Sequence, residues 1–156
     1  MDALHGAIQV AAAFCGTLGF GFLFNIRGRK LWLAAFGGLL GWLMFLLLEP
    51  LVSSEAGRYF IVSATITTYA EIVARIEKTP ATTFCIVTLI PLVPGSALYY
   101  SMVHVITKDM AQFSGRAFYT VELAAALSLG IVLVSSIFRQ ISNFKKKRCE
   151  KIKGKL

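Results

Sequence analysis

Long apolar runs separated by short charged turns dominate the chain. The runs cover roughly residues 3–25, 31–48, 59–70, 79–107 and 117–134. A helix needs about 20 predominantly apolar residues to cross the hydrocarbon layer of a bilayer, and each run with its flanking residues comes near that length. The pattern therefore predicts an all-α polytopic membrane protein with about five transmembrane helices, at residues 3–25, 31–49, 58–77, 80–107 and 117–138.

The composition supports a membrane protein with little aqueous domain. Of the 156 residues, 56% are hydrophobic and only 15% are charged, and the mean hydropathy is +0.69. Residues 1–138 are predicted to form a single transmembrane domain. The first run carries Asp2 and His5 where a signal peptide would carry positive charge, so we interpret it as a retained helix.

The positions of Lys and Arg predict the orientation, because basic residues next to membrane spans stay on the cytoplasmic side. With five crossings and the N-terminus outside, the outer side holds Arg58, Lys108 and Arg116. The other basic residues fall inside: Arg27, Arg29, Lys30, Arg75, Lys78, Arg139 and those from Lys145 to Lys155. Residues 139–156 are predicted to be a basic cytoplasmic tail that contacts anionic lipid. Without interleaved aromatic residues, the tail does not indicate nucleic-acid binding.

The third run is the least apolar and carries a polar stripe. Ser63, Thr67, Glu71 and Arg75 recur every four residues, so they share one face of a helix that should contact protein or water. An acidic residue near mid-membrane costs about 2.5–3.5 kcal/mol on insertion scales and normally marks a pathway or a partnered site. Two interpretations stay open: Glu71 is a proton-coupling residue, or it forms a structural ion pair with Arg75.

The fourth run contains the sequence IPLVPGSALYY at residues 90–100. Pro91 and Pro94 cannot donate backbone hydrogen bonds, which in a continuous helix would leave the carbonyls of Val87 and Ile90 unpaired. An unpaired carbonyl in hydrocarbon costs several kcal/mol, so irregular backbone must lie against protein or water. The sequence therefore predicts that the fourth transmembrane helix is broken at this Pro/Gly motif.

The residues after the break favour an anion site. Gly95 gives the backbone freedom, and Ser96 is predicted to cap a new half-helix. The N-terminus of that half-helix would attract a carboxylate, and Tyr99 follows within a turn. The predicted substrate-binding residues are Pro91, Pro94, Gly95, Ser96 and Tyr99. The alternative is a proline kink that only shapes helix packing.

Small residues elsewhere indicate close helix contacts. The first run holds Gly16, Gly19 and Gly21, and the second holds Gly37, Gly38 and Gly41, of which Gly37 and Gly41 form a G-x-x-x-G pair. Small residues let helix backbones approach closely in lipid. We therefore interpret these glycines as packing residues.

No pattern of residues predicts an enzyme, a metal site or a cofactor. Cys15, Cys85 and Cys149 share no metal-ligand or redox spacing. The sequence has no phosphate-binding loop, nucleophile elbow or paired acid/base carboxylates.

Two stretches resemble the threonine/serine exporter (ThrE) superfamily, in its small YjjB-type membrane subunit form. They are FGFLFNIRGRKLWLAAFGGLLGW and KTPATTFCIVTLIPLVPGSALYYSM, and the similarity covers roughly residues 10–130. The resemblance implies a bacterial inner-membrane exporter that works with a separate, larger membrane subunit and is driven by the proton motive force. Matching positions of the motif are Pro80, Pro91, Pro94, Gly95, Ser96 and Tyr99.

The resemblance further implies efflux of threonine and serine, or of dicarboxylates such as succinate in the split form. We therefore expect an oligomeric subunit of a two-component secondary exporter for small carboxylate-bearing metabolites. Glu71 is the hypothetical proton carrier, and a purely structural pair with Arg75 stays the alternative. A non-transporting membrane scaffold or assembly subunit, in which prolines and glycines only pack against a partner, is the alternative.

Overall fold

The computed structural model describes residues 3–153, and it describes side chains over residues 4–144. Helices make up 85% of the structure, and the described residues contain no strand, which confirms the all-α prediction. The helices are α1 (Ala3–Leu23), α2 (Arg29–Leu47), α3 (Glu55–Ile76), α4 (Ala81–Leu89), α5 (Gly95–Ile106) and α6 (Met110–Lys153), with a short 3-10 turn at Ile90–Leu92.

Three helices end in the same backbone motif. Each is followed by a non-glycine residue with a positive φ angle: Asn25 (56°), Lys78 (50°) and Lys108 (58°). The next N–H group then donates to a carbonyl in the last helical turn, in the pairs Ile26–Gly21, Thr79–Ala74 and Asp109–His104. This arrangement satisfies the carbonyls at the helix ends. It also reverses the chain within a few residues, so α1–α2, α3–α4 and α5–α6 are joined by tight turns.

Helix α3 lies at the centre of the bundle and packs against α2, α4 and α6. Near its start, Glu55 accepts a hydrogen bond from the hydroxyl of Tyr119 on α6. Near its end, Nη2 of Arg75 donates to the carbonyl of Phe138 on α6 at 3.1 Å. Since the residue numbers rise together on both helices, α3 and α6 run parallel.

The basic turns lie at one end of the bundle. Arg29 and Glu77 form an ion pair at 3.6 Å, which places the α1–α2 turn next to the α3–α4 turn. Arg139 follows directly after Phe138, the contact of Arg75, and so lies at the same end. This end carries residues that the sequence predicts to be cytoplasmic; the side of the membrane it faces stays a prediction.

Glycines allow α2 to pack closely against its neighbours. A β-carbon at position 37 would lie 2.8 Å from the ring of Tyr69, and one at position 38 would overlap the Thr17 side chain. The packing role predicted for Gly37, Gly38 and Gly41 is confirmed. The role also holds for Gly21 on α1, where a β-carbon would overlap the Leu31 side chain. At Gly16 and Gly19 a β-carbon would meet nothing within 4 Å, so these two glycines pack against no other helix of this chain among the described residues.

Three helical stretches are long and apolar enough to cross a membrane: Leu4–Leu23, Arg29–Leu47 and Met110–Phe144. The stretches Ala81–Leu92 and Gly95–Ile106 meet at a bend of 60° and can together form a fourth span. Helix α3 is not among them because it carries the polar stripe. Length and hydropathy therefore give three or four spans among the described residues, and they do not confirm the predicted count of about five.

Helix α6 is longer than the 117–138 predicted for the last span. It starts at Met110, where Asp109 caps the helix by accepting the backbone N–H of Gln112 at 3.2 Å. It continues to Lys153, because no proline or glycine interrupts residues 131–153. The predicted lipid contacts of the tail, from Lys145 onward, lie outside the described side chains.

Candidate functional site

The hydroxyl groups of the α3 stripe face the interior of the bundle. Ser63 and Thr67 are fully buried, as predicted for a stripe that contacts protein. Ser63 donates to the carbonyl of Phe60 at 3.0 Å, and the Thr67 hydroxyl lies 3.9 Å from the Cys85 sulfur on α4. Such local bonds let hydroxyl groups be buried at little cost.

Glu71 and Arg75 form an ion pair one helical turn apart. Nη2 of Arg75 lies 3.6 Å from Oε2 of Glu71, and the Glu71 side chain is 16% exposed against 41% for Arg75. Arg75 also donates to the carbonyl of Phe138, and its guanidinium carbon lies 5.0 Å from the centre of the Phe138 ring. These contacts hold Arg75 between α3 and α6. The predicted pair therefore exists, and it lies in a cavity.

A cavity of about 510 Å³ opens between α3, α4 and α6 beside this pair; we call it the Glu71 cavity. Its charged lining residues are Glu71, Arg75 and Arg139. Two guanidinium groups against one carboxylate leave a net positive charge among these described groups. The rest of the lining combines hydroxyl, thiol and apolar groups, from Thr67, Ala81, Thr82, Cys85, Ile86, Ile131, Ser135 and Ser142. Such a site suits a small anionic or zwitterionic molecule.

A second cavity, of about 320 Å³, lies between α1, α2 and the 3-10 turn. Pro91 lines it together with Gln9 and Trp42, and the indole Nε1–H of Trp42 donates to Oε1 of Gln9 at 3.3 Å. Its other lining residues are apolar or glycine. Pro91 and Glu71 therefore line different cavities within this chain.

The backbone between α4 and α5 departs from regular helix over a few residues. Helix α4, with Pro80 at its N-cap position, ends at Leu89, and α5 begins at Gly95. The carbonyl of Ile90 accepts the N–H of Val93 at 3.1 Å, so it is paired here although Pro94 could not donate to it in a continuous helix. The 3-10 turn supplies the donor that a continuous α-helix would lack.

The start of α5 also differs from the expectation. Pro94, not Ser96, occupies the N-cap position, and no side chain caps this helix. Gly95 and Ser96 are exposed, and a β-carbon at Gly95 would meet nothing within 4 Å. Tyr99 is 64% exposed. These three predicted substrate-binding residues therefore lie on the surface of this chain, apart from both cavities.

The comparisons with known proteins decide the family. The family model described as "Threonine/Serine exporter, ThrE" matches residues 9–137, which is most of the chain. The chain belongs to the ThrE family. No curated protein and no solved structure shows significant similarity to it. Membership confirms the resemblance, and it supports transport across a membrane as the kind of function and a multi-pass membrane protein as the class.

The sequence analysis did not identify Arg139, the third charged residue of the Glu71 cavity. Arg139 was assigned only to the basic tail, and it lies just beyond the region matched to the ThrE family. A signal was present, because Ser135, Arg139 and Ser142 are spaced four and three residues apart, as on one helix face. That polar face lines the same cavity as the α3 stripe.

Proposed function

We propose that this ThrE-family chain is the smaller subunit of a two-component secondary exporter. Its substrates are small carboxylate-bearing metabolites, either threonine and serine or dicarboxylates such as succinate. The observation that carries the proposal is the Glu71 cavity, where one carboxylate and two guanidinium groups line a hollow of about 510 Å³ between apolar helices. A carboxylate within a membrane-spanning helix is costly unless it serves a pathway or a partner.

In this proposal the chain crosses the membrane five times, with its N-terminus outside. The parallel course of α3 and α6 supports this count, as does the position of the α1–α2 and α3–α4 turns at the same end of the bundle. Helix α3 crosses despite its polar stripe because the stripe packs against protein. Helices α4 and α5 together form the fourth crossing, broken at the Pro/Gly motif.

Glu71 serves as the proton carrier. Its carboxylate lines the cavity and pairs with the guanidinium group of Arg75. The position of Arg75 does not depend on this pair alone. Arg75 is also held by the carbonyl and ring of Phe138, so protonation of Glu71 leaves Arg75 in place. Ionised Glu71 can pair with the ammonium group of an amino-acid substrate, and protonated Glu71 cannot. Proton and substrate therefore compete for the cavity, which is the linkage that a proton-driven exporter needs.

The exposed start of α5 contributes to substrate binding at the interface with a second, larger membrane subunit. The exposure of Gly95, Ser96 and Tyr99 supports this arrangement, because a polar break in lipid has to be covered by protein or water. The partner would cover the N–H groups at the start of α5 and, with Pro91 and Pro94, enclose the substrate.

The test is counterflow of labelled threonine, serine and succinate in vesicles that contain this chain and its larger partner. We expect labelled substrate to accumulate only when both chains are present. Vesicles with either chain alone provide the controls. If no substrate exchanges although the two chains form a stable complex, the alternative of a non-transporting scaffold subunit replaces this proposal.

A further inference from the structure

We infer that Arg139 is the group that captures the substrate carboxylate when it enters the Glu71 cavity, which makes this cavity the loading site of the exporter. The inference rests on the proposed function and assigns it a residue outside the matched family region, since the match ends at residue 137. Three observations support the inference. They are the net positive charge of the cavity's charged groups, the different contacts of its two arginines, and the position of the cavity in the bundle.

The two arginines differ in the contacts that they make. Arg75 is committed to Glu71 at 3.6 Å and to the Phe138 carbonyl at 3.1 Å. Arg139 lines the same cavity, and it has no ion pair or hydrogen bond with any described side chain or backbone group. An arginine presents a planar fork of N–H donors that fits a carboxylate in two parallel hydrogen bonds. Arg139 is therefore the cavity's available donor for an anion.

The surroundings of Arg139 favour a small organic anion. Ser135 and Ser142 on the same helix and Thr82 on α4 line the cavity with it, and hydroxyl groups can donate to carboxylate oxygens or accept from an ammonium group. Glu71 faces the same space, with Arg75 from α3, Arg139 from α6 and Cys85 from α4 as its neighbours. A molecule held by Arg139 therefore lies close to the proposed proton carrier.

The position of the cavity fits the first step of export. Arg139 lies at the end of the bundle that holds the Arg29–Glu77 pair, which the distribution of Lys and Arg predicts to be cytoplasmic. A substrate that leaves the cell binds first at that face. The break at Pro91 to Gly95 lies farther along the α4–α5 path, so the loading site precedes the site proposed there.

Cys85 lines the cavity and supplies a reporter that does not require transport. In a chain with Cys15→Ser and Cys149→Ser, assembled with its partner in vesicles, the rate of maleimide reaction at Cys85 is measured with threonine, serine or succinate present. We expect at least one of them to slow labelling. The same molecule with every carboxylate converted to a methyl ester should not slow labelling. If none of the three metabolites slows labelling of Cys85, although the same vesicles transport one of them, the inference is wrong and the proposed function stands.

Two variants of Arg139, with a control at the same end of the bundle, test the residue itself. Arg139→Gln should raise the substrate concentration that gives half-maximal protection by about tenfold or more. Arg139→Lys, which keeps the charge but not the planar fork, should have an intermediate effect. Arg27→Gln removes the same charge from an exposed residue that does not line the cavity, and it should leave protection unchanged. Equal effects of Arg139→Gln and Arg27→Gln would refute the assignment.

Arg139 could bind an anionic lipid headgroup in the same way as a carboxylate. Vesicles of different lipid composition show which of the two ligands occupies the cavity. Vesicles of phosphatidylcholine are compared with vesicles that also contain phosphatidylglycerol, both without metabolite. We expect Cys85 to react equally fast in both. If phosphatidylglycerol alone protects Cys85 and metabolites add nothing, the cavity binds lipid and the inference is wrong.

Discussion

Gly130 on α6 lies so close to Phe60 on α3 that a β-carbon at position 130 would be 2.8 Å from the Phe60 carbonyl oxygen. That atom belongs to the backbone and cannot rotate away. The absence of a side chain at residue 130 therefore sets the distance between the two parallel helices that enclose the Glu71 cavity.

Gly130→Ala is expected to destabilise the protein. The methyl group would force α3 and α6 apart, and overpacking of this kind typically costs about 1–3 kcal/mol. The measurement is the free energy of unfolding in mixed detergent micelles. Gly115→Ala is the matched control on the same helix, because a β-carbon there meets nothing within 4 Å. Equal stability of the two variants would contradict the packing described here.

Glu71→Gln is expected to abolish uptake driven by a proton gradient while leaving substrate exchange in place. The amide keeps the shape of the side chain but cannot release or accept a proton at this position. Accumulation under an imposed proton gradient is compared with counterflow in the same vesicles. Glu122→Gln is the control, since Glu122 is an exposed acidic residue of α6 and lines neither cavity. Normal gradient-driven accumulation by Glu71→Gln would exclude Glu71 as the proton carrier.

The helical fold could be predicted because a membrane-spanning helix requires a long apolar segment. Such segments can be recognised from the hydropathy of the sequence alone. The ends of α6 could not be predicted in the same way. Its start depends on the capping contact between Asp109 and Gln112, and its continuation depends on the absence of a helix breaker after residue 138. Neither feature changes the hydropathy of the chain.

The candidate site was only half visible in the sequence. Glu71 stood out because an acidic residue in the interior of an apolar run is predicted to lie near mid-membrane, where it is costly. Arg139 did not, because it follows the last apolar run and sits beside a lysine-rich tail that already has a topological explanation. Its role depends on the packing of α6 against α3, and that contact joins residues 63 positions apart.

Tyr119→Phe is expected to destabilise the other end of the α3–α6 contact. The change removes the hydroxyl that donates to Glu55 and leaves the ring in place. A hydrogen bond to a charged group is worth more than an average one, but this pair is partly exposed, so we expect a loss of about 0.5–1.5 kcal/mol. The free energy of unfolding in mixed micelles measures it. Tyr100→Phe, at a ring that is 54% exposed, should have no effect. Equal values for both variants would show that the bond to Glu55 does not contribute.

Gly95→Leu is expected to abolish transport without destabilising this chain. The backbone at Gly95 does not have a positive φ angle, and its surroundings within the chain are open, so a larger side chain finds room. In the complex the same side chain would occupy the interface proposed for the substrate and the larger subunit. Ser96→Ala, which removes a single hydroxyl, should weaken transport less.

Gly19→Leu is the matched control for this experiment. Gly19 is also exposed, and a β-carbon there also meets nothing within 4 Å, but it lies on α1 and outside the Pro/Gly motif. The readouts are counterflow with both chains present, thermal stability of this chain alone and co-purification with the partner. Loss of counterflow in Gly95→Leu with normal stability and co-purification would place the defect in substrate handling, because lost subunit contact would reduce co-purification as well. Wild-type counterflow in Gly95→Leu and in Ser96→Ala would show that the start of α5 does not take part in transport.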